Sequence, residues 1–175
     1  HDENVHGKAT IVQKMYGRVR GQVPAGAALY LYMAIHPGKM LDFMGNEFAQ
    51  LREFDESREQ DWMVLKYPNH DDFHRYRRAL NEAYLANEAF WSREYDPEAF
   101  RWLDCAHPEL DACAIWRDGH DGAVLAAFNF GDTELADYTA DPAPRGQADE
   151  AAGHRLAVLR RPDREAEAAG RQGLR

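Results

Sequence analysis

The hydrophobic pattern of the chain changes character near residue 94, and that switch limits the architectures open to it. Before it, apolar residues recur at helical spacing. Phe73, Tyr76, Leu80, Ala83 and Tyr84 mark one face of a helix whose start can be capped by Asn69 or Asp71. After it, the runs are short and strand-like: Phe100-Arg101-Trp102-Leu103, Ala112-Cys113-Ala114-Ile115-Trp116, and Val124 to Phe130. Asp118-Gly119-His120-Asp121-Gly122 lies between the last two and predicts an antiparallel hairpin.

Further upstream, residues 24–36 read as a helix that is apolar nearly all round, with Pro24 in its first turn. His36-Pro37-Gly38 stops it, because the residue before proline disfavours the helical region. The short run Lys39-Met40-Leu41-Asp42-Phe43-Met44-Gly45 fits a strand covered on both faces, as in parallel sheets. Asp42 interrupts it, and a carboxylate there is either paired or the sign of a weakened strand. Residues 1–22 and 46–68 read as long loops, which in compact domains are often functional. The order loop, helix, strand, loop, helix matches the last βα units of a parallel βα barrel. The β-rich part is then a separate appended domain.

Composition narrows the partners. The net charge of −9 argues against nucleic acid and anionic membrane, and no stretch of about 18 apolar residues offers a transmembrane helix. Cys105 and Cys113 pair only if strand geometry brings them together; with no secretory signal, free buried thiols in a reducing cytoplasm are expected. The first residues, His1-Asp2-Glu3-Asn4, contain no initiator Met, and the chain is expected to be a piece of a longer protein. After Pro142 no aromatic residue occurs, and Leu156, Val158, Leu159 and Leu174 are the only large aliphatics. Leu156 to Leu159 reads as one edge strand and the rest of residues 142–175 as disorder. A shifted reading frame near residue 140 would produce such a tail.

Four motifs stand in order along the first 105 residues. His1-Asp2-Glu3-Asn4-Val5-His6-Gly7-Lys8 resembles the HDE-x-x-HGK segment of glycogen branching enzymes, members of the α-amylase superfamily. Ala34 to Gln50 resembles the family stretch A-H-P-G-K-K-L-x-F-M-G-x-E-F-x-Q. Arg52-Glu53-Phe54, then Asp61-Trp62, is similar to R-E-W and L-D-W. Asp96 to Cys105 is similar to D-P-x-G-F-x-W-I-D. Each is weak alone, but together and in order they cover roughly residues 1–135.

The resemblance implies the fold and the chemistry. Residues 1–93 would be the last βα units of a (β/α)8 TIM barrel, residues 94–141 part of an all-β C-terminal sandwich domain, and 142–175 a divergent tail. The His-Asp pair would end the seventh barrel strand, at the face where such barrels build active sites. Asp2 would hold sugar hydroxyls and favour the cationic, distorted ring; His1 would hydrogen-bond the same sugar. The nucleophile and the acid/base would lie on strands four and five, in the missing N-terminal barrel of the same protein. Glu3, His6, Lys8, Glu47, Gln50 and Trp62 would contact or shape the glucan site. The alternative reading of Glu47 is a structural hydrogen-bonding residue, and that of Trp62 is packing under its loop. Tyr30, Tyr32, Tyr76 and Tyr84 are expected in the core, with Trp102 and Trp116 filling the sheet core. No cofactor is implied. His1 and His6 lack a third ligand at fitting spacing, so no metal is expected either. Asp42, and Phe54 in place of Trp, depart from the family pattern. Other superfamily enzymes (a trehalohydrolase or a debranching enzyme) and a non-catalytic glucan-binding module are the alternatives; the H-G-K and A-H-P-G-K segments favour branching.

Overall fold

The computed structural model describes residues 2–17, 19–105, 108–131, 133–136, 138–140 and 156–159. Its helices are α1 (Ile11–Lys14), α2 (Val19–Ile35) and α3 (Pro68–Ala86), and its strands β1 (Phe100–Asp104), β2 (Ala112–Asp118), β3 (Ala123–Asn129) and β4 (Leu156–Leu159).

The expected loop over residues 1–22 contains a helical turn. Thr10 caps α1: its Oγ accepts from the Gln13 N–H while Gln13 Oε1 accepts from the Thr10 N–H at 3.0 Å. This reciprocal pair satisfies two amides that a helix start otherwise leaves unpaired. α2 begins at Val19 rather than Pro24, so the proline sits inside the helix and removes one backbone bond there. Gln22 ties the added turn down by donating to the carbonyl of Met15 at 3.1 Å. α3 covers the expected helix, but Tyr67 occupies its N-cap and Pro68 its first position. The ring of Pro68 fixes a helical φ one residue before Asn69, so neither Asn69 nor Asp71 is the cap.

Residues 39–45 are not a strand. The run is extended at first and then turns into a 3-10 turn at Asn46–Phe48. A strand of a parallel sheet is defined by its neighbours' ladder bonds, and the described sheet lies wholly downstream, in β1 to β4. Asp42, the odd residue of that run, is paired. Its carboxylate accepts from Arg77 at 2.6 Å and from the Tyr30 hydroxyl at 3.4 Å. Arg77 is buried on α3 and its guanidinium lies 4.0 Å from the Tyr30 ring centroid. Burial, with the Asp42 charge second, raises the Tyr30 hydroxyl far above its usual pKa.

β2 and β3 pair antiparallel as the sequence predicts, with Ala112 opposite Asn129 and Asp118 opposite Ala123 in the hairpin, and β1 joins β2 antiparallel on its other side. Leu156–Leu159 adds the expected edge strand, parallel to β3. The remainder of the tail lies outside the described residues. The turn at Gly119 cannot take a side chain: a Cβ there would stand 1.9 Å from Glu88 Oε1, whose carboxylate accepts the Asp121 N–H at 2.8 Å.

β2 is buried along nearly its whole length because both faces are covered. Cys113 and Ile115 meet the helices, sharing a core with Tyr30, Leu31, Ile35, Phe73 and Leu80. Ala114 and Trp116 face Leu103, Leu125 and Tyr138 on the other side. Arg117 is fully buried and donates to the carbonyls of Ile35 at 3.0 Å and Phe90 at 3.3 Å. It thereby caps the C-terminal end of α2, where helix carbonyls lack partners of their own.

Tyr30, Tyr32, Tyr76 and Tyr84 all belong to the core or pack against it. Trp116 fills the sheet core as expected, but Trp102 does not and remains 41% exposed. It sits on outer strand β1, where the rings of Tyr32, His36 and Phe100 lie against it. Both cysteines are free, but Cys105 is exposed because β1 ends before it. Among the described residues no helix is long and apolar enough to cross a membrane.

Candidate active site

Two loops carry the residues singled out in the sequence: residues 2–9 and residues 44–62. In the first, Asp2 and Glu3 lie exposed in a turn, and Lys8 folds back over them. Its ammonium donates to the Asp2 carbonyl at 3.3 Å and pairs with the Glu3 carboxylate at 3.0 Å. Both partners of that pair are well exposed, so it contributes little to stability. His1 lies outside the described residues.

The backbone of this loop is unusual. His6, Gly7 and Ala9 have φ of 62°, 78° and 67°. For the two non-glycine residues that left-handed conformation costs on the order of 1 kcal/mol each, so something outside the loop must hold it. Glu53 does so from the second loop. One carboxylate oxygen accepts the Gly7 N–H at 2.9 Å and the other the Ala9 N–H at 2.8 Å. These two backbone bonds, the Gly7 bond first, hold the Glu53 carboxyl below the usual glutamate pKa.

The second loop is braced from within. Gly45 has φ of 90°, and a Cβ on it would come within 2.8 Å of the Gln50 side chain. Glu47 accepts the Gly45 N–H at 2.9 Å and is thus a structural acceptor in this conformation. Gln50 is buried and spans the loop, donating to the Arg52 carbonyl at 2.9 Å and accepting the Asp61 N–H at 2.8 Å. Arg52 forms a fork onto the Asp61 carboxylate, with Nε donating to Oδ2 at 3.1 Å and Nη2 to Oδ1 at 3.0 Å. Such two-pronged pairs fix geometry more firmly than a single contact. Phe54, where the motif has Trp, packs edge-on against Phe43 at 5.0 Å.

Trp62 is both packed and open. Its ring lies 4.9 Å from that of buried Phe48, yet the residue stays 46% exposed. One face of such a ring can rest on protein while the other meets a sugar. His70, on α3, is set against the Phe48 carbonyl at 3.0 Å and anchors the loop base.

The loops therefore place Asp2, Glu3, His6 and Lys8 on one segment and Glu47, Gln50 and Trp62 on another, joined through Glu53. Glu53 carried no assigned role in the sequence. Its signal was a carboxylate next to Arg52 in a matching motif, which names a residue type but not the amides it would meet. Among the described residues no group of three or more His, Cys, Asp or Glu side chains is arranged to hold a metal ion.

Sequence comparison gives these loops a setting. No family model matches the chain. Curated relatives do. Over 140 residues the chain is 37% identical to the 1,4-alpha-glucan branching enzyme GlgB of Aquifex aeolicus, covering 79% of this chain and 22% of that protein. The enzyme of the same name from Cutibacterium acnes is 38% identical over 142 residues, covering 81% of this chain and 22% of the relative. That of Thermobifida fusca is 41% identical over 128 residues, covering 73% and 17%. The agreement falls on a protein class that works on α-glucans. By sequence the chain is similar to 1,4-alpha-glucan branching enzymes, and it spans about a fifth of the length of these relatives.

Proposed function

We propose that this chain is the part of a branching enzyme that supplies the last βα units of its catalytic (β/α)8 barrel, residues 1–93, and part of an all-β sandwich, residues 94–141. The whole enzyme cleaves an α-1,4-glucan and transfers the released segment to a 6-hydroxyl, forming an α-1,6 branch. The observation that carries this reading is the identity of 37–41% to branching enzymes over 128–142 residues of the chain.

The reaction is a retaining double displacement. A carboxylate nucleophile attacks the anomeric carbon while a carboxylic acid, about 5–5.5 Å from it, protonates the departing oxygen. The resulting glucosyl-enzyme is then attacked by the 6-hydroxyl of an acceptor chain, whose proton returns to the acid/base residue. Those two carboxyl groups come from outside residues 1–175. Asp2 and His1 hold the ring hydroxyls and favour its cationic, flattened form, which aids catalysis to the extent that the contacts tighten in the transition state. Glu3, His6 and Lys8 line the glucan path beside Asp2. Glu47 and Gln50 shape the second loop, and Trp62 offers a stacking face. The partner is an α-glucan, glycogen or amylose, with the rest of the same enzyme as the structural partner.

The test is amylose treatment with the full-length enzyme that contains residues 1–175, followed by iodine staining and counting of α-1,6 linkages. Falling iodine absorbance with new α-1,6 linkages is expected, and none from the polypeptide 1–175 alone. Hydrolysis to free sugars without branch formation would transfer the chain to another activity of the superfamily.

A further inference from the structure

The loop that carries Asp2 is tied to a distant part of the chain through its backbone amides. Its internal ion pair, Lys8 with Glu3, is solvent-exposed. Three of its residues, His6, Gly7 and Ala9, stand in the left-handed region. Runs of this kind turn backbone N–H groups toward a common side and create a small concave site for an anion. Here the anion is a side chain from elsewhere in the protein. Glu53 places one oxygen 2.9 Å from the Gly7 nitrogen and the other 2.8 Å from the Ala9 nitrogen. The contact spans 46 residues for Gly7 and 44 for Ala9. The segment that carries Glu53 is itself stiffened on both flanks, by the Arg52–Asp61 fork and by the Phe43–Phe54 packing.

We infer that Glu53 is a positioning residue for the reaction: its carboxylate clamps the Gly7 and Ala9 amides and so fixes the loop that presents Asp2 to the sugar. The inference rests on the branching-enzyme reading for the role of Asp2. Three features make a carboxylate the required group. Two donors converge, so two acceptor oxygens are needed. An amide side chain would supply one acceptor and turn an NH2 toward the second donor. A shorter acid would leave one amide unpaired. Rigid placement matters because a displacement of about 1 Å at a reacting centre can cost about a hundredfold in rate.

The test uses the full-length enzyme containing this segment, as wild type and as Glu53→Gln and Glu53→Ala. Three readouts are taken: kcat and KM on amylose, hydrogen exchange of the peptide spanning residues 3–10, and the thermal unfolding midpoint. Glu53→Gln should lower kcat by about tenfold or more, following the sensitivity of rate to placement, and leave KM within about twofold. Exchange at residues 3–10 should accelerate, with the unfolding midpoint held. Added acetate should restore part of the kcat of Glu53→Ala, because a small carboxylate can enter the vacated space and meet the same two amides; the Gln variant, which fills that space, should not respond. Wild-type kcat in Glu53→Gln overturns the inference, as does a kcat loss that follows the unfolding midpoint with no acetate rescue. A wild-type enzyme that forms no α-1,6 linkages removes the branching reading instead. The clamp itself is then still judged by exchange, and unchanged exchange in Glu53→Gln shows it does not hold the loop.

Discussion

The two loops and the helix–sheet body are held by different forces. The body is held by burial: Ile35, Phe73, Ile115, Ala126 and Phe128 are all 2% exposed or less. The loops are held by side chains that reach backbone amides and carbonyls, through Glu53, Glu47 and Gln50. They also concentrate left-handed residues: His6, Gly7, Ala9, Met44, Gly45 and Ala49 all have positive φ. Burial is non-directional and tolerates small shifts, whereas a carboxylate on two amides fixes a position. The body therefore carries stability, and the loops carry placement.

The contrast can be broken most forcefully in the body. Ile115 is fully buried between the helices and the sheet, and Ile115→Ala should destabilise the chain by about 4 kcal/mol, as large-to-small changes in such sites do. Urea unfolding monitored by tryptophan fluorescence checks this, and a loss under about 1 kcal/mol would mean the site collapses freely around the gap. Asp42→Ala should cost somewhat less, about 3 kcal/mol, because it strands the buried Arg77 guanidinium while its own side chain was about a quarter exposed. Replacing both partners, Asp42→Leu with Arg77→Met, should recover most of that loss. If the double variant stays as unstable as the single one, the pair is more than a desolvation problem.

The same contrast explains what could be read in advance. The hairpin 112–129 and the helix over 68–86 were legible because their apolar periods and the Gly/Asp turn are local signals. The start of α2 was not, because Pro24 looked like a boundary while Gln22 reaches back to Met15, a contact no period encodes. Residues 39–45 read as a strand because apolar runs state burial but not the presence of a ladder partner. Trp102 read as core because its residue type is, although its strand lies outermost in the antiparallel set. In the site, the motifs named Asp2, Glu47 and Gln50, but the pairing of Glu53 with Gly7 and Ala9 depends on backbone conformations 44 and 46 residues away. Side-chain types can be read from a motif; which amide they meet cannot.

The two cysteines offer a sharper probe of the difference. Cys105 is exposed, while Cys113 is buried against the helices and burial pushes its thiol up to about 11. A maleimide at neutral pH should label Cys105 promptly and Cys113 only when the body opens. Equal labelling of both in the folded chain would show that β2 is not protected. In the loops, Asp2→Ala should change stability by less than about 0.5 kcal/mol, as exposed substitutions do, since Asp2 sits in an exposed turn. In the full-length enzyme the same change should lower kcat far more than it weakens glucan binding. Equal losses in both would count against a transition-state role.

The smallest expected effect concerns pH. Hydrogen bonds from the Gly7 and Ala9 amides favour the charged form of Glu53 and hold its carboxyl below the ordinary value of 4.5. A carboxyl whose folded value lies below its unfolded one binds a proton more readily in the unfolded state. Its contribution is complete above the unfolded value and is lost as pH falls through the folded value. The clamp should therefore be intact at neutral pH and release only in acid, below 4.5. The body, whose core is apolar, should not follow that titration. The Gly7 and Ala9 amide proton shifts, followed by NMR from pH 7 downward, should move together with one midpoint below 4.5 and stay flat in Glu53→Gln. A midpoint above 4.5 would mean that burial of the carboxylate outweighs the two amides, and the clamp would then weaken while the body still holds.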